Sequence, residues 1–190
     1  SSQSIIFWIK FASFGGNTNS TFAPIITKWR GDASIGSSIF IIDQGASLRG
    51  TFSNGSIGGG DSAIHGVSLN RWAQFGVVFK DGNLKLYSNG IKLSEKSLSI
   101  SNITNASESL KIGGWYHTYD STYASFDGSI DEIRIYDRTL SAEEVSALYR
   151  LESPNHFVEM NSTVNLEMIW AEPGTFTMGS PTSESGRNSD

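Results

Sequence analysis

Residues Phe126 to Arg150, FDGSIDEIRIYDRTLSAEEVSALYR, join a strand pattern directly to a helix pattern, and that junction limits what the chain can become. From Ser129 to Asp137 polar and apolar residues alternate. Ile133 and Ile135 fall on one face, and Glu132, Arg134 and Tyr136 on the other, as in a strand covering a core. Ser141 then fits an N-cap, and Glu144, three residues later, completes a capping box. Leu140 and Val145 occupy the two positions of a hydrophobic staple, and Val145, Leu148 and Tyr149 form one apolar stripe. The spacing predicts a strand, a tight turn and one short helix over about Ala142–Tyr149, packed on a β domain.

Most of the remaining chain reads as short strands and turns. In Ser4–Phe11, SIIFWIKF, Ile5, Phe7, Ile9 and Phe11 share one face and Trp8 lies on the other. Arg71–Asn89 holds two alternating runs around Asp81-Gly82, a hairpin turn signal, and Asn89-Gly90 marks the next turn. Gly55–Asp61, GSIGGGD, lacks the lysine and following helix of a phosphate loop and reads as a flexible hairpin loop. Twenty glycines, 11 phenylalanines and a charged fraction of 17% suit an all-β domain with many turns. The expected architecture is a two-sheet antiparallel sandwich with one short C-terminal helix. A net charge of −5 without a basic cluster argues against a nucleic-acid partner. No apolar run approaches the roughly 18 residues of a membrane helix, so no membrane insertion is expected. With no cysteine, the chain has neither a disulfide framework nor a thiolate metal site.

Three segments carry a resemblance. Phe126–Arg150 is similar, position by position, to the closing segment of LamG-like jelly-roll domains, G-x-I-D-E-[VI]-R-I-Y-x-R-x-L-[ST]-x-x-E-[IV]-x-x-L-Y. SIIFWIKF resembles the family's first "FWIK" strand, and Arg71–Asn89 resembles its W-x-x-v-a-v-v-y-d-g-x-l-k-l-Y-v-N-G hairpin. The resemblance, to the concanavalin A-like lectin/glucanase superfamily, implies a jelly roll over residues 1–150. It also implies that a strand preceding "FWIK" is missing from this chain.

A boundary is expected near Leu151, with residues 151–163, polar and containing Pro154, as a linker. Residues 164–190 resemble the opening of sulfatase-modifying-factor (formylglycine-generating enzyme-like) domains through PGTFTMGS at 173–180, but they stop short of that family's catalytic part. Together the two resemblances imply a larger exported, extracellular or periplasmic, microbial protein. A jelly roll lacking a strand has an open edge. The apolar pieces Val164–Trp170 and Thr175–Met178 are therefore expected to add to the sandwich as a strand, in the same chain or across a strand-swapped homodimer.

The superfamily hosts both enzymes and lectins. Its glucanases carry E-x-D-x-E on one strand, which sets carboxylates on one face at the ~5 Å a retaining mechanism needs. This chain has no such motif. Asp131 and Glu132 are adjacent, so alternation points them apart, and Glu143-Glu144 fit the first turn of a helix. His65, His117 and His156 read as loop residues. The expectation is a non-catalytic module whose partner is a glycan. The alternatives are a structural spacer or adhesion module and, less favoured, a glycoside hydrolase. Residues 113–126, GGWYHTYDSTYASF, mix Trp115, Tyr116, Tyr119 and Tyr123 with His117, as suits a sugar that stacks on rings while its hydroxyls meet short polar groups. The same aromatics can instead fold down as a lid over the core. Trp29, in TKWRGDASIG, is either a neighbour of that site or a core residue. The resemblance also implies a Ca²⁺ site, with Asp131, Asp127 and Asp32 as candidate ligands. Asp131 is of interest because alternation places it with Ile133 and Ile135, where a buried carboxylate needs a partner.

Overall fold

A computed structural model describes residues 1–15, 23–28, 39–54, 58–105, 107–117, 122–153, 155–161 and 164–169. At 40, 115–117, 122–123, 155–161 and 164–169 it describes the backbone alone. By its contacts the chain divides into two units, Ser1–Glu152 and Ser153–Asp190.

In the first unit, β1 (Ser2–Phe11), β6 (Trp72–Lys80), β7 (Asn83–Ser88), β8 (Ile91–Ser97) and β12 (Gly128–Tyr136) form one antiparallel sheet in the order β12-β1-β6-β7-β8. The second sheet is β5-β4-β3-β2-β9, built from β2 (Ala23–Lys28), β3 (Ile39–Asp43), β4 (Ser47–Ser53), β5 (Gly58–Ile64) and β9 (Lys111–Ile112). A separate hairpin joins β10 (Gly114–His117) to β11 (Thr122–Ser125). Two antiparallel five-stranded sheets with one helix, α1 (Ala142–Glu152), make the jelly-roll sandwich that the alternation and turns predict.

The core is the meeting of the two inner faces. Ile5, Phe7, Ile9 and Phe11 of β1 point into it, with Phe75, Val77 and Phe79 of β6 beside them and Ile41, Leu48 and Phe52 opposite. Each fully covered side chain of this size contributes about 2–3 kcal/mol. The other face of β1 is buried as well, because α1 lies on it. Ile6, Val78, Tyr87, Leu140 and Val145 form a second apolar cluster, and Trp8 stacks on Tyr149 at 5.8 Å. The capping box forms as expected. Ser141 N donates to Glu144 Oε2 at 2.8 Å, and Glu144 N to Ser141 Oγ at 3.2 Å. Strand β1 has partners on both sides, β12 and β6, so the open edges of the sandwich lie elsewhere.

Three expectations are corrected. Strand β12 does not keep simple alternation. Ile6 pairs with Arg134 but Trp8 with Asp131, so Glu132 and Ile133 together oppose one residue in a bulge, with Glu132 at φ 48°. One extra residue inverts the facing of everything before it. Ile130 and Ile133 therefore both pack on the core while Asp131 is exposed, and the burial that recommended Asp131 as a ligand is gone. Second, GSIGGGD is not all loop, since Gly58–Ile64 is β5, hydrogen-bonded along β4. Third, the linker is largely strand. β13 (Asn155–Asn161) pairs with β14 (Val164–Ile169) as a two-stranded sheet of its own in the second unit. Instead of joining the sandwich of the same chain, the apolar alternation of 164–169 is matched by the segment read as linker.

Candidate functional site

The outer face of the sheet β5-β4-β3-β2-β9 carries the candidate site. In β4, SLRGTFS, Leu48 and Phe52 are core residues, and a Cβ on Gly50 would meet Val77 and Leu86 of the facing sheet. Alternation then turns Ser47, Arg49, Thr51 and Ser53 outward. Their paired neighbours share that face: Ser62 and Ile42 beside Arg49, Gly60 beside Thr51. Arg49 and Ser62 are exposed. The Thr51 hydroxyl is buried without a hydrogen-bond partner, as is that of Thr27 one strand beyond β3. A Cβ on Gly60 would sit 2.5 Å from both the Gly50 carbonyl oxygen and the Thr51 hydroxyl, so only glycine fits there. With Gly58 and Gly60 on the outer face, β5 forms a low wall with no side chain at those positions.

The hairpin of β10 and β11 lies against β2 at the far side of this face. It brings the backbone of Trp115 opposite Ala124 and of Tyr116 opposite Tyr123. Trp115, Tyr116, His117 and Tyr123 thus sit on one ribbon beside the polar outer surface. Tyr119, Trp29 and Asp32 lie outside the described residues. On β2 and β3 the outward Thr27 and Ile42 are 0% and 2% exposed, so this part of the face is covered. The concavity left open is the stretch around Arg49, Thr51 and Ser62. Of the remaining metal candidates, Asp127 accepts from Ser13 Oγ at 2.7 Å, and Asp131 accepts from the Glu132 amide at 2.8 Å. Among the described residues no three His, Asp or Glu side chains come together.

One end of the sandwich is held by a polar pair that the sequence does not announce. His65 was expected in a loop. It follows β5 but is buried, with Phe11, Phe14 and Phe75 rings at 5.3 Å. Its Nε2 faces Asp43 Oδ1 at 3.2 Å, and Val67 N donates to its Nδ1 at 3.3 Å, so Nδ1 accepts and Nε2 carries the hydrogen. The other Asp43 oxygen accepts from Gly15 N at 2.7 Å. Both groups are fully satisfied inside the fold, which suits a structural tie between β1, β3 and β5 rather than a catalytic base. Arg49, by contrast, had a legible signal: it is a polar residue at odd register between Leu48 and Phe52, in a strand with one buried face.

Comparisons with known proteins agree with this architecture. The chain superposes on the CBM40 module of the Ruminococcus gnavus IT-sialidase, bound to α2,3-sialyllactose, with TM-score 0.61 and 14% identity, covering 78% of this chain and 82% of that one. It superposes on the botulinum neurotoxin type G receptor-binding domain with TM-score 0.57 and 15% identity, covering 90% and 53%. The binding domain of botulinum neurotoxin DC in complex with SialylT gives TM-score 0.59 and 17% identity, covering 81% and 36%. The chain spans about half the length of the first neurotoxin domains it matches, where coverage is 48%. Identities this low speak for the fold alone. No curated protein sequence matches the chain. A family model, by contrast, matches residues 1–146, most of the chain and nearly all of the sandwich, and the chain belongs to that family, Laminin_G_3 of the concanavalin A-like lectin/glucanases superfamily.

Proposed function

We propose that the sandwich is a non-catalytic carbohydrate-recognition module of an exported protein, with its glycan site on the outer face of β5-β4-β3-β2. The observation that carries this is the pairing of an aromatic ribbon with a shallow polar trough. Trp115, Tyr116 and Tyr123 lie on the hairpin beside β2, and Arg49, Thr51 and Ser62 face outward across from it. Aromatic rings offer a face for a pyranose, and the unpaired Thr51 hydroxyl offers a hydrogen-bonding group for its hydroxyls. Arg49 adds a forked cation suited to a carboxylate, which favours acidic sugars. Structural neighbours described as carbohydrate-binding, one of them bound to sialyllactose, support the reading. The absence of the E-x-D-x-E pattern supports a binding rather than a hydrolytic role. In this reading residues 164–190 begin a further domain of the same exported protein.

The test is a glycan array followed by calorimetric titration with α2,3-sialyllactose. Specific binding should weaken about tenfold in Trp115→Ala and in Arg49→Ala, one 1.4 kcal/mol contact each. Tyr119→Ala tests the remaining aromatic of the segment. Binding to no glycan would establish the alternative, a spacer or adhesion module. Measurable glycan hydrolysis would overturn the non-catalytic reading.

A further inference from the structure

A second concavity, separate from the glycan face, lies between the edge strands β9 and β12. Three apolar side chains on these edges point inward yet remain half-exposed. Ile135 pairs with the core residue Ile5, and Ile112 with the core residue Ile26, and directly paired residues share a face. Leu110, two residues before Ile112, lies on the same side. Their exposures are 46%, 53% and 43% for Ile135, Ile112 and Leu110. At the opposite edges, β8 and β5, Leu93 and Ala63 pack onto the core instead. The sandwich is sealed on one side and open on the other.

The opening holds a cleft of about 370 Å³, walled by Ile39, Ile103, Leu110 and Ile135 and edged by Gln3 and Lys28. Its polar groups are incompletely used. Gln3 Oε1 is buried without a donor. Lys28 Nζ donates to Asn105 Oδ1 at 2.5 Å, which accounts for one of its three hydrogens. The chain's amino group at the rim is taken by Asp81 Oδ1 at 2.7 Å, and no carboxylate lines the cleft.

We propose that this cleft is a strand-addition site for an extended peptide segment of a partner protein, one that alternates apolar residues and carries an acidic residue. The free edge of β9 supplies main-chain hydrogen bonds, and alternate apolar side chains cover Leu110, Ile112 and Ile135. The acidic side chain reaches Lys28 Nζ, and an N–H of the peptide donates to Gln3 Oε1. A saccharide fits this place less well, because no aromatic ring lines the cleft. Addition goes to β9 because the β12 edge is blunted by the bulge at Glu132 and by the charges of Asp131, Glu132 and Arg134. This site is independent of the glycan reading and stands or falls without it.

The experiment titrates the 190-residue chain with an acetylated, amidated heptapeptide alternating valine and threonine around one glutamate, and with its glutamine counterpart. Saturable binding is expected below about 1 mM. Lys28→Met should weaken the glutamate peptide about fivefold and leave the glutamine peptide unchanged, the coupling expected of one partly exposed ion pair. Ile112→Asp should weaken both at least about tenfold, a loss of about 1.4 kcal/mol. Circular dichroism controls for folding, and the Lys28 comparison needs no change in the core. No saturation, or equal effects of Lys28→Met on both peptides, overturns the proposal. So does a concentration-dependent dimer that Ile112→Asp dissociates, which would give the edge to a second copy. Displacement of the peptide by α2,3-sialyllactose would likewise overturn it and assign the cleft to sugar.

Discussion

The carboxylate of Glu152 gathers donors from three strands. Trp8 Nε1 of β1 donates at 2.7 Å and Gln74 Nε2 of β6 at 3.2 Å, both to Oε2, and Arg134 Nη1 of β12 donates to Oε1. Trp8 and Gln74 are 6% and 1% exposed, so water cannot replace a lost partner. Glu152→Ala should therefore cost about 2 kcal/mol, mostly the desolvation of two orphaned donors. Glu152→Gln, which keeps one acceptor, should cost less. Urea melts followed by Trp8 emission read both, and an unchanged midpoint in Glu152→Ala would refute the account. None of this was legible in the sequence, where the helix was expected to end near Tyr149. Which charged residue meets which buried donor depends on how the helix crosses the sheet.

Helix α1 shows the opposite case, an element whose start is written locally. Ser141, Glu144, Leu140 and Val145 were each assigned from spacing, and the cap and staple form from those residues. Ser141→Ala should cost about 1 kcal/mol. The Glu144 carboxyl is held below its ordinary range, first by the Arg138 guanidinium and then by the Ser141 amide. A carboxyl depressed in the folded state adds stability above its unfolded value, about 4.3, and that contribution fades as pH falls through the lower folded value. The melting-temperature gap between wild type and Glu144→Gln should thus be constant from pH 7 to 6 and close below about pH 4. A gap that widens on acidification would contradict this. Strand β12 was read as an element with equal ease but its facing was not. A bulge depends on the partner strand β1, and a period-2 pattern in one strand cannot reveal it.

At the scale of the whole molecule, the two units differ in how their sheets are closed. Strands β1, β6 and β7 have neighbours on both sides, and β1 is buried on both faces. The pair β13–β14 is a two-stranded sheet, a size that is marginal in water. Native-state hydrogen exchange should therefore show protection near the global unfolding energy in β1 and β6, and exchange faster by orders of magnitude in β13 and β14. Equal protection in both would mean that the pair has acquired a further strand. By itself the sequence determined the β class, the position of α1 with its cap, the inward set Ile5, Phe7, Ile9 and Phe11, and the turns at Asp81-Gly82 and Asn89-Gly90. All of these rest on spacings within a few residues, where side-chain period and turn chemistry act directly. Only the tertiary structure decided the bulge that exposes Asp131, the burial of His65 against Asp43, the placement of Arg49 across from the aromatic hairpin, and the open edge at Leu110, Ile112 and Ile135. Each of these needs residues far apart in the chain, and pairing register and sheet edges exist only once the strands have met.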